Sequence, residues 1–224
     1  MKTFLAKIFS GGSIALYWIL LYLAAAVPLA DAAPLQEAHV SQVIQDVRLL
    51  EAHRAARPAA VNDKVTMGRA VHTGKESRAE LTFTDLTITR LGANTIFSLK
   101  AGAREVDLTS GTILLAVPSG AAPVKANTTA ITVAVTGGTA LLATGPPTKF
   151  MVLEGIGTIY PKGHPEKAVT VHAGEMVIAE NGHISNPEKF DVKLVLETSP
   201  LITDFPPLPN LPLILEVANQ QLAE

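Results

Sequence analysis

The sequence predicts an all-β protein, a compact β-roll or distorted β-sandwich of short strands with a short C-terminal helix and a Pro-rich extended tail. Three observations lead there. From Val40 to Ala179 the apolar residues come in short runs rich in Val, Ile and Thr, which suit a pleated, half-buried surface. Gly or Pro stands in most of the gaps between those runs. No amphipathic helix interrupts them, whereas a parallel α/β sheet needs helical crossovers.

At the N-terminus, Lys2 and Lys7 precede an uncharged apolar stretch, Ile14 to Ala30, and Ala30-Asp31-Ala32 has the small-x-small pattern of a cleavage site. That order predicts a secretory signal peptide over residues 1–32, removed after Ala32. A retained anchor is the competing reading, because the stretch lies at the short end of the membrane-spanning range. Pro28 and the Ala-rich exit favour cleavage. Export predicts a periplasmic or cell-surface location. Cleavage removes Lys2, Lys7 and Asp31, which takes the formal charge from −2 to −3. Such a chain has no basic field to hold a phosphate backbone or an anionic membrane, so nucleic acid is excluded as the expected partner. The chain has no Cys. Thiol nucleophiles, thiolate metal sites and disulfides are therefore absent, and stability must come from burial and the hydrogen-bond ladder.

Residues 33–60 read as an N-terminal strand and linker region, within which Val40–Leu50 fits either strand or helix. Residues 61–182 read as the β-domain. Arg78–Phe83 alternates, with Ala79, Leu81 and Phe83 on one face, and Thr84-Asp85 is a turn before Thr87–Leu91. Ile96, Leu99 and Val106–Leu108 follow, and Thr112–Val117 is an apolar run ended by Pro118-Ser119-Gly120. Ala130–Val135 stops at a Gly137-Gly138 turn, and Thr139–Ala143 stops at Gly145-Pro146-Pro147. Phe150–Leu153, Gly157–Tyr160, Ala168–Val171 and Met176–Ala179 complete the series. Gly111, Gly155 and Gly174 each separate two strand-like pieces and are expected at corners, where glycine adopts backbone angles that cost other residues more. Their spacing is irregular, so the fold is not a regular solenoid. Residues 183–224 read as a helix capped at Asn186-Pro187-Glu188, with Phe190, Leu194 and Val195 on one face, then an extended Pro200–Pro212 segment. Leu201, Ile202, Phe205, Leu208 and Leu211 make that segment too apolar for a solvated linker, so it is expected to lie along its own β-body, with docking on a partner as the lesser alternative.

Six ordered stretches between Val61 and Ala179 carry a family resemblance. They are Thr73–Phe83, which contains Arg78-Ala79-Glu80-Leu81; Thr89–Thr95, which contains Arg90-Leu91-Gly92 and Asn94; Leu108–Gly111; Val135–Thr139 around Gly137-Gly138; Val152–Gly155 with Glu154; and Ala173–Glu175 around Gly174. In this order they resemble the FecR domain. The resemblance implies an extracytoplasmic all-β domain of the kind found in cell-surface signalling regulators. It also implies that these motif positions do mainly structural work. Regulators of that type carry a cytoplasmic sigma-binding segment before the membrane and a further domain after the β-domain. Here about a dozen residues precede the apolar stretch, and a helix and Pro-rich tail follow Ala179. The chain therefore resembles a stand-alone exported FecR-domain protein, and the anti-sigma role is not carried over.

The search for chemistry yields little. His39, His53, His72, His164, His172 and His183 show no zinc-type spacing, so no metal or other cofactor is expected. Asp85, Asp107, Glu154 and Glu175 are the candidates for a glycosidase-type carboxylate pair, yet acids at turns usually serve the turn. No nucleophile elbow or phosphate-binding loop is present, and no catalytic residue is assigned. Arg90, with several donors, is expected to tie down a neighbouring loop, and Asn94 to occupy a left-handed turn. The expected function is a non-catalytic protein-binding module in envelope signalling or scaffolding. The alternative is a carbohydrate- or polymer-binding module, disfavoured because Tyr160 is the only Tyr or Trp left after cleavage. An enzyme ranks third.

Overall fold

The computed structural model describes residues 35, 37–100 and 104–223; the predicted signal peptide lies outside them. The described chain forms seventeen strands: β1 Glu37–Ile44, β2 Val47–Glu51, β3 Arg57–Pro58, β4 Lys64–Thr66, β5 Arg69–Thr73, β6 Arg78–Phe83, β7 Ile88–Leu91, β8 Ile96–Leu99, β9 Glu105–Ser110, β10 Thr112–Val117, β11 Val124–Asn127, β12 Ile131–Ala143, β13 Thr148–Pro161, β14 Val169–His172, β15 Glu175–Glu180, β16 His183–Ile184 and β17 Glu188–Lys189. Three helices follow: α1 Val192–Thr198, α2 Pro200–Thr203 and α3 Leu211–Leu222. The all-β fold class stands. No helix among the described residues is long and apolar enough to cross a membrane.

One hydrogen-bond ladder runs through all the strands and curls over itself at β12 and β13. In one half the order is β3-β2-β5-β8-β9-β11, ending on Thr132–Val135 of β12, with β14 beyond on Ile156–Ile159 of β13. In the other it is β4-β1-β6-β7-β10, ending on Gly138–Ala143 of β12, with β15 beyond on Thr148–Val152 of β13. All these pairings are antiparallel except β9 with β11. Alternation along each strand sends one set of side chains inward. Val71, Phe97 and Val133 from the first half meet Leu81, Leu115 and Phe150 from the second in the main core.

The second half is also covered on its outer face. There Leu114, Ala116, Leu141 and Leu153 meet Val192, Leu201, Phe205, Leu208, Ile214 and Ala218 in a second core, beneath the C-terminal helices. Ile113–Val117 is apolar on both faces for this reason: Ile113, Leu115 and Val117 serve one core and Leu114 and Ala116 the other.

Val40–Leu50 takes the strand reading, split between β1 and β2. Other expectations change. Gly137-Gly138 is not a turn between two strands; both residues lie inside β12, where the register with β13 shifts between Thr136 and Ala140. A bulge keeps the ladder running while the strand bends. The first C-terminal helix starts at Asp191, whose carboxylate accepts the Leu194 N–H at 2.8 Å, instead of at Asn186. Glu188-Lys189 pairs with β15 first, so the helix begins later and Leu194 turns to solvent, 54% exposed. The Pro-rich tail is not extended throughout. Pro200 and Pro212 stand in the first turns of α2 and α3, where a missing N–H costs nothing.

Candidate functional site

The outer face of the second half carries the most elaborate polar arrangement among the described residues. It starts from strand register. Glu80 on β6 lies opposite Arg90 on β7, Arg90 opposite Leu114 on β10, Leu114 opposite Leu141 on β12, and Leu141 opposite Met151 on β13. These five residues make one row across the outer face, polar at one end and apolar at the other. Alternation would leave such a row in water, but the tail covers it.

Arg90 is 1% exposed and all three of its nitrogens are engaged. Nε donates to Glu80 Oε2 at 2.8 Å, Nη1 to the Leu201 carbonyl at 3.0 Å and Nη2 to the Pro206 carbonyl at 2.6 Å. Its guanidinium carbon lies 4.7 Å from the centre of the Phe205 ring. Burial presses this guanidinium below its ordinary range, and the Glu80 carboxylate works against that shift. Glu80 is held from its other side, where Ser41 donates to Oε1 at 2.8 Å. The guanidinium fork suits two carbonyls and a carboxylate at once, which a Lys cannot match.

A second anchor lies at the sheet corner. Asn210, just before α3, donates from Nδ2 to Glu154 Oε2 and to Thr139 Oγ1, each at 2.7 Å. Thr139 and Glu154 are cross-strand partners beside Gly138 and Gly155. Burial raises the Glu154 carboxyl above its usual range, and the Asn210 hydrogen bond only partly offsets this. A raised carboxyl favours the folded state below its unfolded value, about pH 4, and that contribution is lost as pH rises through the folded value. Glu154→Gln keeps an acceptor for Asn210 and cannot ionise. Its melting temperature should equal or exceed that of the wild type at pH 7, and the two should converge below about pH 4. A wild type more stable than the variant at every pH would refute this account.

Three further contacts complete the attachment. Arg78 pairs with Asp204 at 3.2 Å. Gln221 Nε2 donates to the Phe190 carbonyl at 2.9 Å and to the Gly174 carbonyl at 3.3 Å. At Gly92 the close neighbour is on the body: an added Cβ would stand 3.3 Å from the Thr112 carbonyl oxygen but at ordinary contact distance, 3.8 Å, from Leu201.

The motif positions thus fall into four groups. Ala79, Leu81 and Leu91 fill the main core. Arg78, Arg90, Glu154 and Gly174 bond to the tail, Glu80 holds Arg90 from the body, and Gly92 lies near Thr112 and Leu201. Gly137, Gly138 and Gly155 form the corner. Asn94 and Gly111 have positive φ, 53° and 94°, at one end of the roll. They join Thr109, Ser110, Thr129 and Asn181 around an open groove of about 750 Å³. The lining of that groove includes no aromatic residue.

The acid candidates are engaged separately. Asp85 sits with Arg104 and Thr87, Glu154 with Asn210, and Glu175 accepts the His172 backbone N–H at 2.8 Å. Asp107 lies on β9, in register with Asn127. Burial pushes Asp85 up, but its hydrogen bonds from Arg104 and Thr87 outweigh that and leave it lowered. Among the described residues no three His, Asp or Glu side chains are grouped to hold a metal ion. Ser41, Asp204, Asn210 and Gln221 were not foreseen. The one available signal was Asn210 two residues before Pro212, which fits a helix start.

Residues 69–156 match the family model described as FecR protein. Two crystal structures of a provisionally designated anti-sigma factor from Parabacteroides distasonis ATCC 8503 are similar, at 17% and 18% identity and a TM-score of 0.49 each. The matches cover 58% of this chain and 65% and 64% of those chains, so less than two thirds of their length is spanned. No curated protein matches the chain.

Proposed function

We propose that this chain, whose residues 69–156 match the FecR family model, is an exported, non-catalytic protein-binding module of the cell envelope, working in signalling or scaffolding. Export to the periplasm or cell surface is supported by the order of Lys2 and Lys7, the Ile14–Ala30 stretch and Ala30-Asp31-Ala32. Protein binding rests on one observation: buried Arg90 is aimed at two peptide carbonyls and an aromatic ring. In the structure that peptide is the chain's own Leu201–Leu208 segment, and the same donors and ring contact suit a partner's peptide. The carbohydrate reading has the hydroxyl-lined groove in its favour but no ring on which a sugar would stack.

Fractionation and affinity recovery test this with a C-terminally tagged full chain. The mature form should begin at Ala33, lie outside the cytoplasm and bring down a specific envelope protein or a second copy of the chain. A folded cytoplasmic form that still begins at Met1 would overturn export. Recovery of neither from an exported, folded chain would overturn the binding role.

A further inference from the structure

We infer that the outer face of β6, β7, β10, β12 and β13 is a peptide seat that also accepts the C-terminal segment of a second copy of this chain. The inference rests on the protein-binding reading and names the partner.

The seat does not depend on the covalent link to its occupant. Arg90 is 111 and 116 residues from the carbonyls it binds, and Asn210 is 71 and 56 residues from Thr139 and Glu154. Residues 181–183 and 186, in the connection to the tail, are exposed, and the only strand within 185–191 is the two-residue β17. Nothing in the contact chemistry distinguishes a chain's own tail from that of another copy.

The seat is also costly to leave empty. Removing the tail takes two acceptors and a ring from the buried Arg90 and uncovers Leu114, Leu141 and Leu153. Arg90 keeps its Glu80 partner, but the bared apolar face raises the free energy. An opened tail is therefore replaced instead of simply lost, and the segment with matching chemistry is Leu201-x-x-x-Phe205-Pro206-x-Leu208 of a neighbour. Exchange of an identical element between protomers needs no new interface. The outer side of the helices also leaves Leu194, Leu213, Leu215 and Leu222 at 46–70% exposure, apolar area that a second copy can cover.

The chain has no Cys, so introduced thiols report cleanly. Arg78 on the body and Asp204 on the tail touch in an ion pair at the edge of the seat, so thiols placed there report which tail occupies it. Full chains carrying Arg78→Cys and, separately, Asp204→Cys would be mixed at high concentration, incubated and joined with a short bismaleimide, one chain bearing a mass tag. The mixed product should exceed that from Arg78→Cys with Thr170→Cys, on the exposed β14, by at least about tenfold, the ratio set by a 1.4 kcal/mol preference. The double variant Arg78→Cys/Asp204→Cys should link within one chain. If the double variant links internally while the mixture does no better than the control, the inference is overturned. If Arg78→Cys in envelope extract links only to a foreign protein, a second copy is ruled out as the occupant while the protein-binding reading stands.

Discussion

Replacing Arg90 with Met should destabilise the protein by about 3–5 kcal/mol, the loss seen when one partner of a buried ion pair is removed. The substitution keeps the bulk of the side chain, so the effect is electrostatic and not a cavity. Glu80 would be left with the Ser41 hydroxyl as its side-chain donor, and the Leu201 and Pro206 carbonyls would lose theirs. Glu80→Leu/Arg90→Met tests the attribution. Replacing both members of a buried pair with apolar groups is often close to neutral. Here recovery should be incomplete, because the two tail carbonyls still lack donors, at about 1–3 kcal/mol each if they stay buried. Arg90→Lys should also fall well short of wild type, since one ammonium cannot reproduce the fork. Urea denaturation gives the stabilities and limited proteolysis the location. Cleavage after residue 190 should rise before the β-body melts. Full recovery in the double variant would mean that the carbonyl contacts carry no weight.

The fold was largely legible because strands betray themselves by alternation. Ala79, Leu81 and Phe83 were assigned to one face and lie in the main core. The site was legible in residue identity but not in partners. Alternation assigns Glu80 and Arg90 to the solvent side, and it assigns correctly: they do point outward from the body. Burial comes from a segment more than a hundred residues away, and no local pattern encodes that distance. Two signals were present and incompletely joined. Ile113–Val117 is apolar at successive positions, which means a strand covered on both sides. The tail carries Leu201, Phe205 and Leu208, which need cover. The tail was expected to pack on its own domain, and it does. What the sequence could not supply was the face it packs on, or that Arg90 would hold it by main-chain carbonyls.

The corner glycines give the second large effect, and they separate two reasons for being glycine. At Gly137 the backbone has φ 53°, and the nearest atom to an added Cβ would be 3.6 Å away. The constraint there is angular. Asn tolerates the left-handed region, so Gly137→Asn should cost no more than about 1 kcal/mol. Gly138 has no such angle but has no room. A Cβ would overlap the Glu154 carbonyl oxygen and come within 2.8 Å of Gly155 Cα. Gly155 has both constraints, with φ 81° and a Cβ that would overlap the Gly137 carbonyl oxygen and come within 2.8 Å of Gly138 Cα. The atoms in the way are backbone of the paired strand, which cannot swing aside as a side chain would. Gly138→Ala and Gly155→Ala should therefore reach the upper end of overpacking losses, about 3 kcal/mol or more, with Gly155→Ala the worse. The damage should spread to the tail, because Thr139 and Glu154, which hold Asn210, are the neighbours that must shift. Denaturant midpoints of the three variants check the order. If Gly138→Ala cost no more than Gly137→Asn, the close approach of β12 to β13 would not be what requires glycine there.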